Sequence, residues 1–317
     1  MRPSKNGDHQ PEDGPSGEGP SPALPRVGCV IVTYRPEDEP LLRQIEAIRH
    51  QVDAIYLVDN GDGSGLPAFA PELGLDVTTL DRNFGIAYAQ NVGMDRARQG
   101  GADHILLLDQ DSLPAPDMVA KLLEALTRLT GEGISVAAVG PQYSDTRQGT
   151  VSPFVYREGW SLKQRPNAPE IDHVPTDFLI ASGCLIPVTV LDAIGYMEEG
   201  LFIDYVDIEW ALRAARHGYR SFGIPAARMA HSLGDEWITR RGRRLPVHNP
   251  LRHYYYARNA ILLARRSWIA PPWKFILLWR LFKQFVLFGI VVPGRGKHFR
   301  MMSLGIWHGI LKRSGQL

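Results

Sequence analysis

Residues 104–112 (HILLLDQDS) run an apolar stretch into Asp109 and Asp111, two carboxylates one residue apart with no Lys or Arg among them. Carboxylates at such range repel, so the pair must be solvated, share a proton or hold a cation. Two hard oxygen ligands at the end of a strand suit Mg²⁺ or Mn²⁺ bridging a diphosphate. A second acidic group, Asp204, Asp207 and Glu209, lies in IDYVDIEW, ahead of a helical pattern. Helix capping and compensation of the helix dipole account for acids there without any chemistry. The chemical alternative makes one of them a general base. His231, in AHSLGD, is an ordinary histidine unless it completes a metal site beside the carboxylates.

The elements that would position these residues alternate. Apolar runs at 27–34, 54–60, 76–82, 104–109 and 134–141 read as strands, and 40–51, 85–100 and 116–129 have helical spacing. Strands apolar on both faces, separated by helices, predict a parallel sheet covered on both sides. Such sheets bind ligands at the carboxyl ends of their strands. Thr33 with Tyr34, Asp59 with Asn60, Asp81 with Arg82 and Asn83, and Asp109 with Gln110 and Asp111 all fall at such ends. Beyond about residue 150 the pattern changes. It predicts a strand and short helix over 178–195, an amphipathic helix within 201–220, short strands over 221–232 and helices from about 246 onward. There are no internal repeats.

DNGDGSG (59–65) invites two readings that fail. Its glycines run G-x-G-x-G with no helix directly after, unlike a dinucleotide fingerprint. As a calcium loop its closing glutamate position falls on Pro71. It reads as a turn-rich loop in which Asp59 alone is a site candidate. No P-loop is present.

Charge is divided along the 317 residues. From Trp237 to the end there are 16 Lys and Arg and no Asp or Glu, so the remaining 19 basic residues face all 34 acids. An acidic body joined to a cationic, aromatic foot suits an anionic membrane surface. A nucleic-acid binder is disfavoured, because the acidic strand ends would repel phosphates. The stretch 274–292 (KFILLWRLFKQFVLFGIVV) contains Lys274, Arg280 and Lys283, and its longest uncharged run is too short to span a bilayer. The segment therefore reads as an amphipathic helix lying in the membrane plane. Packing on its own domain or at a dimer interface explains its apolar residues nearly as well, but not the sixteen cations without an acid. Cys29 and Cys184 sit in apolar runs and read as buried thiols. Residues 1–25, crowded with Pro, Gly and charge, read as a disordered tail without the apolar core of a secretory signal.

Taken in order and spacing, VIVTYRP, LVDN, DRNFGIAYAQNVG, LLLDQDS, FIDYVDIEWALRAARHGYR and HSLGD resemble the family 2 glycosyltransferases of GT-A fold. More narrowly they resemble bacterial rhamnosyltransferases that use dTDP-L-rhamnose in O-antigen and related surface polysaccharide synthesis. The resemblance implies a GT-A catalytic domain over 26–245 and a helical, membrane-surface segment over 246–317. It places the nucleotide base against Thr33, Tyr34 and Asp59, and puts Arg82, Asn83 and Gly85 near nucleotide and sugar. Asp109 is implied as a donor-binding residue and, with Asp111 and His231, as a ligand of Mg²⁺ or Mn²⁺. Asp207 is implied as the catalytic base with Asp204 in reserve, although Val206 stands where the family carries the first acid of a pair. The implied partners are a nucleotide-sugar donor, a glycan or lipid-linked acceptor and an anionic membrane surface, at the cytoplasmic face of the cell membrane. Nucleic acid is not among them, and there is room for a homo-oligomer. A UDP-hexose or UDP-galactofuranose donor is the alternative within the same fold. A nucleotidyltransferase, or a non-catalytic binder of anionic surfaces, is the alternative outside it.

Overall fold

The computed structural model describes residues 25–67, 69–145, 150–165, 171–231, 236–240, 243–247, 249–288 and 295–317. The tail expected over 1–25 lies almost wholly outside them, as do 232–235 of the HSLGD motif and 289–292 of the expected amphipathic segment.

The chain opens with β1 (Val27–Thr33), α1 (Asp38–Ile48), β2 (Ala54–Asp59), α2 (Phe69–Glu72), β3 (Asp76–Thr79) and α3 (Ile86–Gln99). There follow β4 (His104–Asp109), β5 (Ser112–Pro114), α4 (Met118–Gly131), β6 (Val136–Asp145) and β7 (Thr150–Val151). A hairpin, β8 (Phe154–Glu158) and β9 (Ser161–Arg165), precedes β10 (Val174–Thr176), β11 (Leu185–Pro187), α5 (Val188–Ile194) and α6 (Val206–Arg216). The long strand β12 (Arg220–His231) and the pair β13 (Glu236–Arg240) and β14 (Arg243–Val247) lead to three helices, α7 (Pro250–Ala264), α8 (Pro271–Val286) and α9 (Arg295–Ile310).

The main sheet runs in the order β10-β12-β6-β11-β4-β1-β2-β3. The long neighbours β1 and β2, β1 and β4, β2 and β3, and β6 and β12 are parallel, while β11 runs antiparallel between β4 and β6. The mostly parallel sheet expected from the apolar runs is therefore present, with short antiparallel strands added. Alternate β1 residues feed two cores. Val30 and Val32 pack with α3, α6 and the C-terminal helices, and Cys29 and Ile31 pack with α1 and α4. Cys29 and Cys184 are buried free thiols.

Two local expectations change. The strand expected early in 178–195 is only Leu185–Pro187, antiparallel to β4, and the short strands expected over 221–232 are one strand, β12. β12 stays single because it changes register against β6 between Ile224 and Arg228 rather than breaking. The C-terminal helices share a core with the sheet. Trp273, Ile276, Leu277 and Leu281 of α8 and Met302 of α9 belong to the cluster that contains Val30 and Leu107. α9 lies close along α7 because Gly305 carries no Cβ, which would sit 2.3 Å from the Tyr254 carbonyl oxygen.

Candidate active site

Register brings the strand ends together. Thr33 pairs with Asp59 and Val32 with Asp109, so β1, β2 and β4 finish on one edge of the sheet. Just beyond that edge β5 pairs antiparallel with the end of β12, setting Ser112 opposite His231. Asp111 Oδ1 then lies 3.4 Å from His231 Nδ1, and Ser112 Oγ lies 2.8 Å from the same nitrogen. Ser182 Oγ is 2.6 Å from Ser112 Oγ and accepts the Asp109 N–H at 3.0 Å. Gln44 donates to the Asp109 carbonyl at 2.6 Å. Burial, reinforced by the Asp111 charge, raises the Asp109 pKa against the opposing pull of His231 and Arg252. Asp109, Asp111 and His231 each offer a ligand atom, all within 4.8 Å of one another. Two carboxylates and an imidazole are donors that Mg²⁺ or Mn²⁺ accepts, and a cation relieves the repulsion between the carboxylates. The residues present fit a divalent metal.

The rest of the edge is a set of turns clamped by side-chain amides. The Tyr34 ring is exposed, and its backbone N–H donates to Gln110 Oε1 at 2.7 Å. Thr33 and Asp59 are both buried. The Asp59 carboxylate accepts the Gly63 N–H at 3.0 Å and the Thr33 hydroxyl at 3.4 Å, so here it organises the DNGDGSG turn. Burial raises its pKa, while those two hydrogen bonds pull it down. Asn60 accepts the Phe84 N–H at 2.9 Å and donates to Asn83 Oδ1 at 3.1 Å. Asn83 Oδ1 also accepts the Gly85 N–H, at 2.9 Å. Asn83 therefore shapes the RNFG turn, while exposed Arg82 lies over the Phe84 ring, 4.6 Å from its centroid. Gly85 has φ 92°, and a Cβ there would lie 2.5 Å from the Phe202 carbonyl oxygen. That close approach locks the RNFG turn to the loop that carries Asp204 and Asp207.

This loop is strained. Phe202, Asp204 and Tyr205 have φ of 64°, 64° and 68°, a conformation that costs non-glycine residues about 1–3 kcal/mol each. Helix α7 holds it in place. Asn259 Nδ2 donates to the carbonyls of Leu201, Ile203 and Asp204 at 2.9, 2.8 and 2.9 Å, and Arg258 donates to those of Gly200 and Leu201. The three acids then separate. Asp204 accepts from Arg252 Nε at 3.2 Å. Glu209, fully buried, accepts from Arg213 at 3.0 and 3.1 Å and from Arg266 at 2.9 Å. Asp207 accepts the Ile208 N–H at 2.8 Å, and no Lys or Arg forms an ion pair with it among the described residues. Burial pushes its carboxyl up to about 6, and the charges of Asp204 and Asp109 push the same way. A carboxylate poised near neutral pH is suited to accept a proton.

Removing one partner of a buried ion pair strands the other. Glu209→Gln is expected to cost about 3 kcal/mol of stability in denaturant unfolding, with little change in turnover of the folded fraction. A turnover loss at unchanged stability would instead place Glu209 in the chemistry.

Residues 29–195 match the sequence profile described as Glycosyl transferase family 2. The chain belongs to this glycosyltransferase family. It is 33% identical over 244 residues to the dTDP-rhamnosyl transferase RfbF of Shigella flexneri, covering 76% of this chain and 80% of that protein. It is 24% identical over 237 residues to an N-acetylglucosaminyl-diphospho-decaprenol L-rhamnosyltransferase of Mycobacterium tuberculosis, covering 65% of this chain and 77% of that one. Among solved structures, S. aureus TarS 1–349 in complex with UDP-GlcNAc superposes with a TM-score of 0.57 at 12% identity, covering 90% of this chain and 81% of that chain. That likeness shows the GT-A fold.

In the glycosyltransferase, three residues near the site take roles that their sequence context did not assign. Gln110 reads as the spacer between two aspartates, yet its amide ties the end of β1 to the end of β4. Ser182, within an apolar run, joins Asp109 to Ser112. Arg280, a cation on α8, lies within electrostatic reach of Tyr256, Tyr205 and Asp207. Burial opposes its charge, but these neighbours outweigh burial and raise its pKa. The available signals were the place of Gln110 among the polar strand ends and, for Arg280, a cation on the inner side of α8; Ser182 carried none.

Proposed function

We propose that this glycosyltransferase moves L-rhamnose from dTDP-L-rhamnose to a hydroxyl of a glycan acceptor, lipid-linked and presented at the cytoplasmic face of the membrane, in surface polysaccharide synthesis. The observation that supports the chemistry is Asp207, raised to about 6 within electrostatic reach of Asp109. The observation that supports the donor is the 33% identity to a dTDP-rhamnosyl transferase.

On this reading Asp59 and Thr33 lie beneath the nucleotide base. A carboxylate accepting a ring N–H distinguishes thymine or uracil from other bases. Exposed Tyr34 and Arg82 flank the same edge. Asp109, Asp111 and His231 would hold the divalent cation, which when bound neutralises charge on the donor diphosphate. Asp207 takes the proton of the acceptor hydroxyl as that oxygen attacks the anomeric carbon from the face opposite the nucleotide. A single displacement inverts the configuration, so a β-L donor gives an α-L product. No side-chain nucleophile is needed.

The test is a panel of dTDP-L-rhamnose, UDP-glucose, UDP-N-acetylglucosamine and UDP-galactofuranose, each with Mg²⁺ or Mn²⁺, scored by donor turnover. Thymine and uracil share the N–H that Asp59 would read, so discrimination rests on the sugar. We expect dTDP-L-rhamnose to be consumed fastest. Faster use of a UDP-sugar would overturn the donor and leave the family in place.

A further inference from the structure

Helix α8 has two unlike faces. Trp273, Ile276, Leu277 and Leu281 are buried in the core shared with the sheet. On the opposite side Phe275, Leu278, Trp279 and Phe282 are 48%, 43%, 49% and 56% exposed. At about 100° per residue these four fall within one arc. Their rings are ordered against one another. Phe275 and Trp279 stack at 6.4 Å, and Trp279 and Phe282 at 5.6 Å. Trp160, 59% exposed between β8 and β9, extends the surface through an edge contact with Phe275 at 5.8 Å. Scattered exposed apolar side chains are ordinary, but a contiguous aromatic surface drawn from separate elements marks an interaction site.

Charge selects what covers it. On the same helical projection Lys274 and Lys283 fall on either side of the aromatic arc. Exposed Arg295, Lys297 and Arg300 open α9, around Phe299, which packs on Phe285 of α8 at 5.0 Å. No acid occurs from Trp237 to the end of the chain. A symmetric pairing of this surface with a second copy would set cations against cations. An anionic bilayer meets both features, taking aromatic rings into its headgroup boundary and cations against its phosphates. Among the described residues no helix is long and apolar enough to cross a membrane, so the contact is in-plane.

We propose that α8 and Trp160 form the membrane-docking surface of this enzyme, lying in the plane of an anionic bilayer. The docking rests on this surface alone, and the rhamnosyltransferase reading supplies its purpose. The same helix reaches the catalytic centre from its inner side through Arg280. A cleft lined by Phe154, Val155, Phe178 and Ser182 adjoins Asp109 through Ser182 and α8 through Phe178, which meets Trp273 at 6.2 Å.

The test is co-sedimentation of the full chain with phosphatidylcholine vesicles, with and without phosphatidylglycerol. Wild type is expected to bind the anionic vesicles and to lose binding as salt shortens the screening length from about 10 Å at 0.1 M. A Trp279→Ser/Phe282→Ser variant is expected to bind on the order of tenfold or more weakly. Lys274→Gln and Lys283→Gln are each expected to weaken anionic binding by roughly fivefold. These side chains are exposed or at the helix flank, so all the variants keep the wild-type melting temperature and turnover of a water-soluble acceptor. Equal binding to neutral and anionic vesicles, or binding unchanged in the aromatic variant, would overturn the proposal. So would absence of vesicle binding together with dimers that the aromatic variant dissolves, which would make this face an interface between copies. Vesicle binding without use of dTDP-L-rhamnose would leave the docking standing and remove the donor reading.

Discussion

Asp207→Asn is expected to lower glycosyl transfer by about 10² to 10⁴, the usual worth of a positioned general base. Asn keeps the size of Asp and caps a helix about as well, so a capping role alone would leave the variant nearly silent. Donor binding is expected to stay near wild type. Stability is expected to rise, and the sign follows from the proton. The folded-state value of about 6 lies above the ordinary 3.8, so folding opposes the charged carboxylate. That penalty is absent below about pH 4 and complete above about pH 6. The asparagine variant escapes it, gaining at most about 3 kcal/mol at neutral pH, since each tenfold change in proton affinity is worth about 1.4 kcal/mol. The side chain is only partly buried, so solvent screening reduces the gain. Wild-type transfer is expected to fall as pH drops through about 6, when the base takes up its proton. Asp204→Asn, which loses one bond from Arg252, is expected to affect transfer far less. The reverse result would move the base to Asp204, and two silent variants would leave only capping.

Asp111→Ala, like treatment of the wild type with EDTA, is expected to abolish measurable transfer. Lewis-acid stabilisation of a leaving group contributes several kcal/mol, and each 1.36 kcal/mol is tenfold in rate, so a loss of about 10³ is the expected scale. Asp111 is exposed at the edge of the cluster, so its truncation leaves no cavity and the variant is expected to melt as wild type does. In the wild type, Mn²⁺ or Mg²⁺ added after EDTA is expected to restore transfer. In the variant it is not. Full transfer by Asp111→Ala, or wild-type transfer untouched by EDTA, would remove the metal from the reaction.

Much of the catalytic body was legible because it depends on local pattern. Apolar runs buried on both faces specify parallel strands, and acids or amides at their ends fall on the ligand-binding edge. Thr33, Asp59 and Asp109 could be placed there from the run of residues alone, and the strand register puts them there. Local pattern alone did not sort Asp204, Asp207 and Glu209; only the family resemblance pointed to Asp207. All three sit within one turn of the start of α6, where the helix dipole favours any carboxylate. Their differences come from Arg252 and Arg266, 48 and 57 residues along the chain. The glycine of the RNFG turn could be read as a nucleotide-loop residue. Its close approach to Phe202 depends on how two distant loops meet.

The amino-acid sequence by itself determined the strand–helix alternation, the acidic strand ends and the division between an acidic body and a cationic foot, because periodicity and charge are properties of neighbouring residues. Tertiary structure decided the rest. A short antiparallel pairing of β5 with β12 set Ser112 against His231 and so brought His231 to Asp111. Packing against the shared core chose which side of α8 is buried and left its aromatic arc and flanking lysines outward. Both outcomes depend on contacts between segments far apart in sequence, whose free energy appears only when the chain has closed those loops.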